Sequence, residues 1–208
     1  MTELTASREW FTRLTRAALS LIDQVPKDAA QRPGLGNWNL AELTAHTMRA
    51  WTVLSKVLAD DEPTGQSPIS AVQYLVDGLT AAGVHAGVEE RARNDAAELG
   101  DSLSAAAREA AAVAREALDE APDNRLVSSR FGTMPLREFL RTRNLELVVH
   151  GLDLARALGT EPPPDMVEAT VPALSLLGQV AVERGMAVAL LEAATGRVPL
   201  AADYNLMQ

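Results

Sequence analysis

His46, Glu146, His150 and Asp153 are the residues whose chemistry and spacing most invite a functional role. Three of them fall in one stretch, NLELVVHGLDLARALG (144–159), with spacings of four and then three residues. At about 100° per residue, with Glu146 at zero, His150 falls near +40° and Asp153 near −20°, so the three share one helical face. Leu136, Phe139, Leu147, Leu154 and Ala157 point within about 100° of the same direction, and Val149 flanks the trio. A helix apolar on nearly every side is expected to be buried. A buried carboxylate or imidazole without partners costs several kcal/mol or shifts its pKa.

A metal ion is one compensation. Side chains at i and i+4 start about 5–6 Å apart and can converge on one ion at about 2.0–2.2 Å from each donor atom. Glu146 and His150 have that spacing, and His46 interrupts the apolar stripe of another helix in the same way, which makes it the natural third ligand. Three protein ligands leave an open position, unlike a closed structural site. Asp153 suits a supporting role, accepting a hydrogen bond from a ligating histidine, and Glu42 is a rival for either role. Spacing alone leaves other readings open. A buried histidine is often a satisfied core residue, Glu-x-x-x-His recurs by chance, Arg143 sits three residues before Glu146 and can pair with it, and Glu42 can serve as a helix cap. Of the three histidines, His85 lies in a glycine-interrupted stretch and reads as surface or loop.

The elements that must position these residues are helices. Periodicity predicts one over residues 7–25, closed by Pro26, and a loop over 26–39. A second helix opens at the N-cap Asn39, with Glu42 three residues on, and runs to 59. Residues 69–99 are helical but broken near Gly78, Gly83 and Gly87. An amphipathic helix spans 102–121, its charged arc solvated. Residues 122–136 form a loop in which RFGTMP is a short extended segment. The helix carrying the trio spans 135–158 and ends at Gly159. A fifth spans 166–194 before a short extended tail. No strand pattern of any length appears. The expected architecture is all-α, a four-helix bundle with an additional C-terminal helix. It is expected as a single domain over 1–208, with its core at about 7–159 and the C-terminal helix and tail at 160–208.

Composition narrows the function. With 47% hydrophobic and 23% charged residues the chain reads as a soluble globular protein, and 4% aromatics with abundant Ala and Leu favour helices. A formal net charge of −9 and no basic cluster argue against nucleic acid. The absence of cysteine excludes disulfides, thiolate metal ligands and a cysteine nucleophile, so thiol chemistry requires a small-molecule thiol. The polar start MTELTASREWFTRL is unlike a signal peptide and no apolar run approaches a membrane span, so a cytoplasmic location without a membrane partner is expected. The phosphate-binding, nucleotide-binding, His-Glu-x-x-His and nucleophile-elbow motifs are missing.

GLGNWNLAELTAHTMRAW (34–51) resembles the start of the second helix in DinB-like metal-binding bundles. NLELVVHGLDLARALG, with RFGTMPLREFLRTR (130–143) before it, resembles the Glu-x-x-x-His-x-x-Asp helix of one branch, the mycothiol-dependent maleylpyruvate isomerases and their relatives. The resemblance runs from about residue 8 to 159. It implies a divalent metal, commonly zinc with nickel as the alternative, held by His46, Glu146 and His150, with Asp153 as the matching aspartate. It also implies mycothiol as a thiol cosubstrate, activated to attack an electrophilic small molecule by S-transfer or isomerisation. Arg49 and Arg143 are candidates to approach carboxylates of thiol or substrate. About 50 residues follow the trio's helix, too few for the further C-terminal domain of the full isomerase, which sets maleylpyruvate itself apart as a substrate. A non-catalytic metal- or ligand-binding bundle is the alternative. The exposed face of the fifth helix is a candidate surface for a homodimer.

Overall fold

The computed structural model describes residues 3–65, 67–81, 84–99 and 103–207, apart from the side chains of 3, 84–86, 88 and 89. Phe11, Leu14, Ala18 and Leu21, at helical spacing, are buried along α1 (Glu3–Ile22). This helix starts earlier than expected, and it also stops earlier, because the chain tightens into i→i−3 bonds at Gln24 and Val25 ahead of Pro26. The second helix, α2 (Leu40–Ala59), begins where its sequence says: Asn39 accepts from the Glu42 backbone N–H, and Glu42 accepts from the Asn39 N–H, each at 2.9 Å. Leu43, Ala50, Trp51 and Leu54 are its buried stripe.

Helices α3 (Ala71–Thr80) and α4 (Val84–Leu99) follow. The break between them falls near Gly83, which itself lies outside the described residues, whereas Gly78 and Gly87 sit inside helices. His85 therefore belongs to a helix rather than a loop, with its side chain outside the described residues. Next come α5 (Leu103–Glu120), a hairpin of β1 (Leu126–Ser129) and β2 (Gly132–Pro135), α6 (Leu136–Leu158), α7 (Pro164–Glu183) and α8 (Ala187–Ala194).

Three expectations are corrected. The stretch before α6 is not a loop: the extended segment expected in RFGTMP is β2, and it pairs with β1 in an antiparallel hairpin with Val127 opposite Met134, both fully buried, and Arg130 and Phe131 at its tip. Its strands are four residues each, too short to display alternation. The single fifth helix is two, because Gly185 adopts φ +68° between α7 and α8. The segment after α8 turns rather than extends, with Tyr204 N–H donating to Ala201 at 3.0 Å.

Four helices make the bundle. α1 packs on α6 and α5, and α2 packs on α5 and α6, so the ring closes around the apolar core. α4 lies on α2, while α7 lies on α6, α1 and α3. Gly151 seats α7: a Cβ there would fall on Sδ and Cε of Met166, itself fully buried. Val167, Val171, Leu174 and Val182 stand 51–72% exposed along one face of α7. Among the described residues no helix is long and apolar enough to cross a membrane.

Glu138 ties α3 to α6. Its buried carboxylate accepts from the Ala71 N–H at 2.9 Å and from Arg141 at 3.0 Å. Replacing it leaves a buried helix-start N–H without a partner, so Glu138→Ala should lower unfolding free energy by about 1–3 kcal/mol. Urea denaturation followed by circular dichroism measures this, and wild-type stability would remove the brace.

Candidate metal centre

His46 projects from α2, and Glu146 and His150 from successive turns of α6. Packing of these two helices brings the three together. Glu146 Oε2 lies 3.2 Å from His150 Nε2 and 3.9 Å from His46 Nε2, and the imidazole centroids are 4.5 Å apart, edge to face. One donor atom from each residue fits within a sphere of mutual distances up to 4.8 Å. Among the described residues this is the one group of three or more His, Cys, Asp or Glu side chains so placed.

The donor set of two imidazole nitrogens and one carboxylate oxygen suits a divalent first-row cation. His46 Nδ1 is buried without a hydrogen-bond partner, so Nε2 is the His46 nitrogen turned toward the other donors. Asp153 Oδ2 lies 3.3 Å from His150 Nδ1, and Arg156 donates to Asp153 Oδ1 at 2.9 Å. Asp153 thus orients the His150 ring from behind and leaves Nε2 facing Glu146. Glu42 is occupied as the cap of α2, which removes it from the candidates.

The trio lines a pocket of about 640 Å³. The helix carrying it is less enclosed than its sequence suggests: Val149 is 40% exposed, and the 35% of the Glu146 side chain left accessible faces the pocket. Trp38 packs on the His46 ring at 4.7 Å between centroids. Arg49 and Arg143 both reach the pocket. Arg49 pairs with Asp95 on α4 at 2.9 Å, while Arg143 lies 4.0 Å from Glu146 Oε1 and over the Phe139 ring.

Arg91 on α4 and Arg130 at the hairpin tip also line the pocket, and sequence reasoning missed both. Neither makes an ion pair among the described residues. Burial, followed by the charges of Arg49 and Arg130, pulls the Arg91 pKa down. Tyr74 and Phe131, ring centroids 5.3 Å apart, complete an aromatic wall. The one available signal for the hairpin residues was RFGT, a polar-aromatic pair before a glycine.

The electrostatics of the trio follow from proximity. Burial, and then the charge of His150, push His46 down to about 4. Burial also opposes protonation of His150, but hydrogen bonds to Asp153 and Glu146 overcome it and raise that residue to about 9. For Glu146, burial acts upward, yet the hydrogen bond and charge of His150, with Arg143 and His46, hold it well below the usual carboxylate range. The metal-free trio is therefore one neutral imidazole, one carboxylate and one imidazolium near neutrality.

The closed helical bundle with this inward-facing trio defines a DinB-like protein. Residues 5–155 match the family model described as the mycothiol maleylpyruvate isomerase N-terminal domain, and the chain belongs to that family. No curated protein and no solved structure matches the chain.

The opposed shifts set a pH dependence for metal-free protein. Depressed His46 makes the unfolded chain bind more protons between about 4 and 6.5, so stability falls as pH drops through that window. Depressed Glu146 acts in the same direction at more acid pH. Raised His150 contributes stability that is complete below 6.5 and lost as pH rises through about 9. Urea titrations in chelator from about pH 4 to about pH 10 should give a maximum near 6.5 from these groups, and His150→Ala should flatten the alkaline arm. An unchanged arm in that variant would contradict the assignment.

Proposed function

We propose that the chain is a divalent-metal-dependent enzyme that uses a low-molecular-weight thiol, mycothiol by family, for S-transfer to or isomerisation of an electrophilic small molecule. The observation carrying this reading is the convergence of His46, Glu146 and His150 at an open pocket, in a chain without cysteine. Those three residues would hold the cation, zinc first and nickel second, and Asp153 would keep the His150 ring in its ligating orientation. When bound, the cation supplies Lewis acidity that lowers the pKa of a thiol presented to its open position.

The chain's own groups define the rest. His150 must release its Nε2 proton to ligate, and Asp153 retains the Nδ1–H as a hydrogen bond. Trp38 covers one face of His46 and, with Phe139, limits water at the trio. Arg49, Arg91, Arg130 and Arg143 place a surplus of positive charge in the pocket of an acidic chain. That surplus suits a carboxylate on the thiol or the electrophile, with Arg91 and Arg130 the better placed because they have no ion-pair partner among the described residues.

Purified protein should retain about one zinc or nickel per chain by elemental analysis, and His150→Ala should abolish it. Metal retained in full by that variant would remove His150 from the ligand set, and wild-type protein without metal would sink the reading. Conjugation of mycothiol to monochlorobimane should depend on the metal. Bound metal without any thiol conjugation would leave a binding protein. For a carboxylate-bearing electrophile, Arg130→Ala should raise KM about tenfold or more with a smaller change in kcat. An equal effect on a neutral electrophile would contradict that role.

A further inference from the structure

The pocket is built almost wholly from the span that the family model matches. Among the described lining residues, all but one fall within the matched span 5–155. The exception is Met207, from the segment that follows α8.

That segment is latched in place. Leu206 packs into a separate apolar cluster with Ala71 and Leu75 of α3, Leu145 of α6, and Leu176 and Val180 of α7. Arg184 Nη1 donates to the Leu206 carbonyl at 2.5 Å, and the Tyr204 hydroxyl donates to the Met186 carbonyl at 3.4 Å. Met207 N–H donates to Asn205 Oδ1 at 2.9 Å, which turns the backbone at the pocket's edge. Leu75 belongs both to the cluster that holds Leu206 and to the pocket wall. The latch and the wall therefore meet on one helix, α3, which also contributes Tyr74 and Leu79.

We propose that segment 201–207 is a specificity element, in which Met207, held by the Leu206 latch, bounds the apolar part of the pocket and limits the size of the apolar group a ligand can place there. This rests on reading the arginine-lined pocket as the substrate site. The ligand class is then an acid with a hydrophobic portion: the guanidinium groups take the anion, and Tyr74, Leu79 and Met207 take the remainder. Methionine suits such a wall, because its unbranched thioether adjusts to irregular shapes. The candidate metal trio, the arginines and the aromatic residues lie within the matched span, and Met207 is the one described lining residue that the chain adds from outside it.

The test uses the full chain, supplied with zinc, and two acids of different bulk, benzoate and 1-naphthoate, measured by calorimetry. Met207→Trp should weaken 1-naphthoate by about tenfold or more while benzoate changes less than about threefold. Adding Leu206→Asp, which releases the latch, should restore 1-naphthoate binding to the Trp variant, because an untethered side chain no longer obstructs. The Met207 methyl resonance, assigned by its loss in Met207→Ala, should shift on adding 1-naphthoate to wild-type protein. Equal weakening of both acids, no rescue by the second substitution, a silent methyl resonance, or failure of wild type to bind either acid each overturns the proposal. Zinc content is measured on the same samples, so loss of the metal reading is told apart from loss of the wall.

Discussion

Two imidazoles and a carboxylate compete for one small volume, and the rest of the structure is arranged around that conflict. Burial, with the nearby charge of His150, disfavours protonation of His46, and Glu146 lies within 3.9 Å of a nitrogen of each imidazole. Such a cluster persists only if the helices carrying it cannot relax apart. The capping box fixes the first turn of α2, with its N-cap Asn39 about two turns before His46. The bundle core fixes the approach of α2 to α6. Asp153, itself held by Arg156, fixes the rotation of the His150 ring. Each device is modest alone, and together they keep three donor atoms aimed at one point instead of at solvent.

Charge is distributed against the average of the molecule. The chain carries a net −9, yet its pocket gathers four guanidinium groups from α2, α4, the hairpin and α6. An acidic exterior around a cationic recess disfavours polyanions at long range while concentrating positive potential where a small anion can enter. Arg49 is partly neutralised by its ion pair with Asp95.

How much of this was legible in the sequence depended on whether the signal was local. The α2 cap, the left-handed Gly159 after α6 and the shared face of Glu146, His150 and Asp153 are properties of one helix, and periodicity finds them. His46 was legible because a histidine on an apolar stripe needs a partner. Glu42 could be read two ways, as a ligand by its spacing from His46 and, better, as the capping-box partner of Asn39, and the observed hydrogen bonds bear out the second. Arg91 and Arg130 each look like an ordinary exposed arginine, since their convergence depends on how α4 and the hairpin dock. Val127 and Met134 pair across strands too short for any alternation to show. The break at Gly185 was hidden inside a stretch whose flanks are both helical.

Gly151 occupies the position next to His150, and Met166 of α7 fills the space its side chain would have taken. α7 begins at Pro164, beyond the last residue of the family match at 155. The segment that matches the family thus ends before the helix that packs on Gly151. A fragment trimmed to that boundary would lack Met166 and leave a void against the turn that carries His150. The end of the family match and the end of the packing around the His150 turn lie in different places.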